Sequence, residues 1–105
     1  MIERAVNLDQ ENGAYHDSLG YVLMRLNRTD QAEPHFRKAL LTQGQNAVVL
    51  DHFGDLLEKE GRLAEAIQYW KKALEGEDLE GELDRARVER KLREGLASLD
   101  VPKKP

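Results

Sequence analysis

The chain of 105 residues contains no cysteine. That absence excludes disulfides, thiolate metal sites and a cysteine nucleophile, and it leaves the compartment open. Three prolines are too few for a proline-rich disordered tract, and 34% charged residues leave no room for a long apolar membrane span. The opening MIERAVNLDQ is broken by Glu3, Arg4, Asn7 and Asp9 and never reaches the continuous apolar run of a secretory signal. Location stays undetermined, with the cytoplasm as the default. Basic excess is missing too. A formal charge of −4 argues against nucleic acid as a partner, because phosphate-binding surfaces carry cations that displace counterions.

What is present is a repeat. Residues 13–46 align without a gap on residues 47–80 at a shift of 34. The identical pairs are Asp17/Asp51, Gly20/Gly54, Leu23/Leu57, Arg28/Arg62, Ala32/Ala66, Lys38/Lys72, Ala39/Ala73 and Leu40/Leu74. Leu19 faces Phe53, Val22 faces Leu56, and Phe36 faces Trp70. Tyr15, Leu19, Val22, Leu23 and Leu26 fall at helical spacing, as do Ala32, Phe36, Ala39 and Leu40, so each unit is expected to be a helix pair packed through those stripes. Asn27 and Gly61 share the slot between the two helices, and both residue types tolerate the left-handed conformation that ends a helix. Gly20, Gly54, Ala32 and Ala66 are expected where the paired helices approach most closely, beside Phe36 or Trp70. Pro34 falls in or just past the opening turn of its helix, where its missing N–H removes little.

These residues resemble the tetratricopeptide repeat, a 34-residue helix–turn–helix with the pattern W-x2-L-G-x2-Y followed by A-x3-F. Here the slots read His16-x2-Leu19-Gly20-x2-Leu23 with Ala32-x3-Phe36, and Leu50-x2-Phe53-Gly54-x2-Leu57 with Ala66-x3-Trp70. The chain is similar in style to the C-terminal repeats of larger bacterial members. The resemblance implies an all-α fold, an α-solenoid of antiparallel helix pairs in a right-handed superhelix. In the same frame residues 1–12 are the end of a truncated preceding repeat with its linker, 13–46 and 47–80 are repeat units, and 101–105 are a flexible tail. A third copy does not align after residue 80. Val88, Leu92, Leu96 and Leu99 instead make one stripe on a charged helix, read as a capping helix over 81–100.

Candidate chemistry is thin. His16, His35 and His52 form no HxxxH or HExxH pair, and the acidic run from Glu75 to Asp84 lacks the spacing of a calcium loop. No catalytic residue, cofactor or metal is expected, and the chain is read as non-enzymatic. Arg85, Arg87, Arg90, Lys91 and Arg93 alternate with Glu82, Asp84, Glu89 and Glu94, which points to pairing along their own helix.

In the family the resemblance indicates, first helices line a concave groove that holds a partner protein. Projected onto this chain, the groove residues are Asp17, Tyr21, Met24, Arg25, Val48, Asp51, His52, Asp55, Glu58 and Lys59. The expected partner is a protein or peptide with basic and apolar residues. Relatives that clamp acidic chaperone peptides carry lysine and asparagine where this chain has Asp17 and Tyr21, so that activity is not expected. A scaffold or adaptor module is the leading reading. The alternative is a structural cap or self-association element, with weak association through an apolar edge near Ile2, Ala5 and Val6.

Overall fold

The computed structural model describes residues 13–44, 46–78, 81 and 83–100; the expectations for 1–12 and 101–105 lie outside them. Within these residues the protein is an all-α repeat solenoid of five helices: α1 (Gly13–Arg25), α2 (Thr29–Gln43), α3 (Ala47–Lys59), α4 (Leu63–Glu75) and α5 (Arg85–Asp100). Each helix packs on the next in chain order.

The two turns inside the units are copies of one another. Asn27 has φ 63° and Gly61 φ 80°, and the following Arg28 and Arg62 adopt φ/ψ of −103°/62° and −104°/62°. Arg28 N–H donates to Leu23 O at 2.8 Å, and Arg62 N–H donates to Leu57 O at 2.9 Å. Both are the six-to-one bond of a left-handed helix stop, which satisfies a carbonyl the ended helix leaves over. Pro34 lies in the second turn of α2 and the helix runs through it. Only the bond its N–H would have given to the carbonyl of Asp30 is forgone. At the start of α3, Asn46 Oδ1 accepts from Val48 N–H at 2.9 Å and Val49 N–H at 3.2 Å. Ala47 N–H donates to Glu77 O at 2.8 Å, which ties the linker after α4 back to this cap.

The glycines do what the repeat implies. A Cβ on Gly20 would meet the Phe36 ring at 3.1 Å, and one on Gly54 would meet the Trp70 indole at 2.6 Å. Trp70, Phe36, Phe53, Leu56 and Leu57 are the large side chains at the centre of the core. Burial of each contributes on the order of 2–3 kcal/mol.

Two packing stripes differ from expectation. On α1, Tyr15 (45%), Val22 (53%) and Leu26 (58%) are exposed, whereas Val49 and Leu56 on α3, the counterparts of Tyr15 and Val22, are 2% and 0% exposed. The reason is position. The α3 stripe has α2 against it, and among the described residues no helix stands before α1. On α5 the inward face is Val88, Leu92 and Gly95, with Leu96 and Leu99 left 39% and 50% exposed. Gly95 sits against α4, where a Cβ would lie only 3.1 Å from Ile67.

Candidate functional site

The first helices of the two units, α1 and α3, meet through side chains. His52 of α3 points its Nδ1 at both carboxylate oxygens of Asp17 on α1, each at 3.0 Å, and its ring lies 4.7 Å from the Tyr21 ring centroid. The carboxylate requires a proton on that nitrogen. Burial alone would push His52 down, but the Asp17 bond and the negative charges of Asp17, Asp51 and Asp55 outweigh it and hold the imidazole above its ordinary value.

One unit along, the arrangement recurs with a lysine in place of the histidine. Lys91 of α5 places Nζ 2.6 Å from Asp51 and 2.5 Å from Asp55, and the same ammonium stands 5.3 Å over the Trp70 ring. Trp70 Nε1–H donates to Asp55 at 3.2 Å, and Arg87 lies 3.5 Å from its other oxygen. Asp51 and Asp55 are one turn apart, both buried, and would repel if left unpaired. Burial raises the Asp51 carboxyl, with the Lys91 bond acting against it and the neighbouring Asp55 charge adding to it.

Asp17 and Asp51 are repeat counterparts, so the two ion pairs are one device used twice. The first spans 35 residues and the second 40, which measures a five-residue insertion in the linker before α5. With that insertion Lys91 takes the place of His52, and Val88 and Leu92 take those of Val49 and Phe53. The last helix therefore docks as a further first helix. Arg87 and Lys91 reach across to α3, which corrects the expectation that the cations of α5 pair only along their own helix.

The residues projected onto the groove divide into two sets. Met24 is 3% exposed and belongs to the core, and Asp17, Asp51 and Asp55 are buried in the ion pairs just described. Val48, His52 and Tyr21 are half-buried, while Arg25, Glu58 and Lys59 are exposed. Arg25 donates to the Tyr21 hydroxyl at 3.1 Å and lies over its ring. The face is thus less acidic than its sequence suggests, because Asp51 and Asp55 have Lys91 and Arg87 against them and Asp17 is taken up by its bond to His52. Trp70, Arg87 and Lys91 belong to this site and were not projected onto it; an alignment offset of 39 in place of 34 brings Lys91 onto His52 and is the signal that finds it.

A second histidine contact ties α1 to α2. His16 Nδ1 and His35 Nδ1 are 3.0 Å apart, with ring planes 24° from parallel. Among the described residues no three His, Asp or Glu side chains are grouped so as to hold a metal ion, and no helix is long and apolar enough to cross a membrane.

Comparison with known families agrees with this geometry. The model for the tetratricopeptide repeat matches residues 14–46 and 47–75, more than half of the chain. The chain belongs to the tetratricopeptide repeat family. Its boundaries coincide with the two helix pairs, and repeats of this family generally mediate protein–protein interaction without catalysis. No curated protein matches the chain.

Proposed function

We propose that this tetratricopeptide repeat chain is a non-catalytic scaffold or adaptor module that holds a partner segment against the face shared by α1 and α3. The observation that carries the reading is the division of that face. Its buried acids are locked to His52, Lys91 and Arg87 and set the spacing of the helices, while Tyr21, Val48, Arg25, Glu58 and Lys59 remain accessible to a partner. Tyr21 and Val48 offer apolar contact, and Glu58, in the last turn of α3, is an exposed carboxylate. A segment with apolar residues flanked by a basic one suits this set.

Selection of peptides from a displayed random library against the whole chain tests the proposal. Enriched peptides are expected to pair apolar and basic residues and to lose at least about tenfold in affinity for a Tyr21→Ala, Glu58→Lys double variant, the range expected when an aromatic anchor is truncated. Asp55 is unsuitable for this test because its loss would leave the buried Trp70 Nε1–H without its acceptor and Lys91 with only one of its two carboxylates. Peptides that bind the double variant as tightly as the parent sink the reading.

A second reading rests on the exposed stripe of Tyr15, Val22 and Leu26. Apolar patches of this kind mark association surfaces, and the stripe occupies the position at which α2 covers α3. Self-association through it requires a sedimentation coefficient that rises with concentration; a constant monomer value removes it.

A further inference from the structure

Adjacent residues of α1, His16 and Asp17, face two different helices, and each is met there by a histidine. The two contacts make opposite demands on protons. His16 Nδ1 and His35 Nδ1 at 3.0 Å form a bond only if one nitrogen carries hydrogen and the other is bare. Full protonation of both rings sets two N–H groups and two positive charges against each other. The Asp17 carboxylate accepts from His52 Nδ1–H in either charge state of the ring, but a protonated ring sets a full positive charge against the carboxylate and turns the bond into an ion pair.

We propose that α1 is a proton-operated element: acidification through the histidine range tightens its hold on α3 through Asp17 and His52 and loosens its hold on α2 through His16 and His35. The surroundings of each ring favour this division. Around His52 stand Asp17 and Tyr21 from α1, the uncharged Phe36 ring from α2, and Asp51 and Asp55 on its own helix, which Lys91 of α5 partly offsets. Around His35 stand His16 from α1 and Lys38 on its own helix, both opposed to a further proton.

The directions follow. Burial, the His16 ring and Lys38 hold His35 below its ordinary value, while the carboxylates hold His52 above it despite burial. For the raised group, the added stability is fully present below the unfolded value of about 6.5 and is lost as pH rises through the folded value. For the lowered group, stability present above about 6.5 is lost as pH falls toward the folded value. The Asp17–His52 contact therefore weakens on the alkaline side, where the ring loses its charge, and the His16–His35 contact gives way on the acid side. The first of these sits on the face assigned to the partner, yet the device stands whether or not a partner binds there.

Ring nitrogen NMR of the whole chain between pH 5 and 8 reads both sites directly. His52 is expected to keep its proton to a higher pH than an unfolded histidine, and His35 to lose its proton at a lower one. Unfolding constants measured over the same range add the coupling. His52→Gln is expected to remove the loss of stability between pH 6.5 and 8, and His35→Gln the loss between pH 6.5 and 5, each at least about threefold in the constant. The idea is overturned if His52 titrates at or below the unfolded value, if the two rings titrate together, or if neither variant changes its limb of the profile. The titration of the unaltered chain decides the matter even where a variant does not fold.

Discussion

The first and second repeat units have the same turns and the same frame, yet they are packed to different degrees. In α3 the apolar side chains Val49, Leu50, Phe53, Leu56 and Leu57 are all buried, and so are Asp51 and Asp55. In α1 the counterparts Tyr15 and Val22 are exposed. The sequences do not account for this difference, since both helices carry the apolar stripe. Burial in a solenoid is set by neighbours on both sides. The second unit has α2 before it and α5 after it, whereas the described residues give the first unit a neighbour on one side only.

The sharpest way to break the comparison is to truncate matched positions. Leu56→Ala removes a fully buried side chain between α3 and its neighbours and is expected to cost about 3 kcal/mol, within the range for buried leucine. Val22→Ala at the matching slot is 53% exposed and is expected to cost less than about 0.5 kcal/mol, as surface substitutions do. Denaturant midpoints at equal slope measure both. Equal losses would mean that the α1 stripe is covered in solution, and would favour self-association.

Glycine provides the next contrast. Gly54→Ala drives a Cβ to 2.6 Å from the Trp70 indole, which is fixed by its bond to Asp55 and by Lys91 above it. Overpacking of about 2–3 kcal/mol is set against a helix-propensity gain near 1 kcal/mol, for a net loss of roughly 1–2 kcal/mol. Gly20→Ala meets the Phe36 ring at 3.1 Å, a contact that a shift of a few tenths of an ångström relieves. Its propensity gain of about 1 kcal/mol then leaves the substitution near neutral. A thermal melt of the pair distinguishes these outcomes, and a Gly54→Ala melt unchanged from the parent would mean that Trp70 is free to move.

Much of this was legible in the sequence because steric constraints repeat at a fixed period. The helix pairs, the left-handed stops at Asn27 and Gly61, and the close approaches at Gly20 and Gly54 each require a particular residue type at a particular slot. Two things were hidden, for physical reasons. Exposure of Tyr15 and Val22 depends on what lies beside α1, which an amphipathic pattern does not encode. The engagement of Asp51 and Asp55 depends on Lys91, and a five-residue insertion moves that lysine out of the 34-residue frame. Like charges at 51 and 55 on a helix face read as a solvated surface until a helix 36 and 40 residues away brings its ammonium between them.

The mildest test of the two units uses a residue they share. Arg62 follows the second turn and meets Glu65 at 2.6 Å, Glu60 at 3.2 Å and, from α2, Glu33 at 3.7 Å. Arg28 occupies the same slot with the same backbone angles and has no ion-pair partner among the described residues. Glu33 also pairs with Arg37, so Arg62 joins a network that bridges the units, whereas Arg28 completes only its own turn. Exposed pairs hold little energy singly, and salt screens them over about 10 Å at 0.1 M. Burial and the nearby Glu33 charge raise the Glu60 carboxyl, with Arg62 acting against both, so removing the arginine leaves two glutamates facing each other. Arg62→Gln is therefore expected to lower the melting temperature slightly at low salt and to converge on the parent near 1 M salt. Arg28→Gln is expected to leave the melt unchanged at either concentration. A matching loss from Arg28→Gln would show that the shared arginine acts through its turn, and that the carboxylates gathered around Arg62 add nothing to the junction between units.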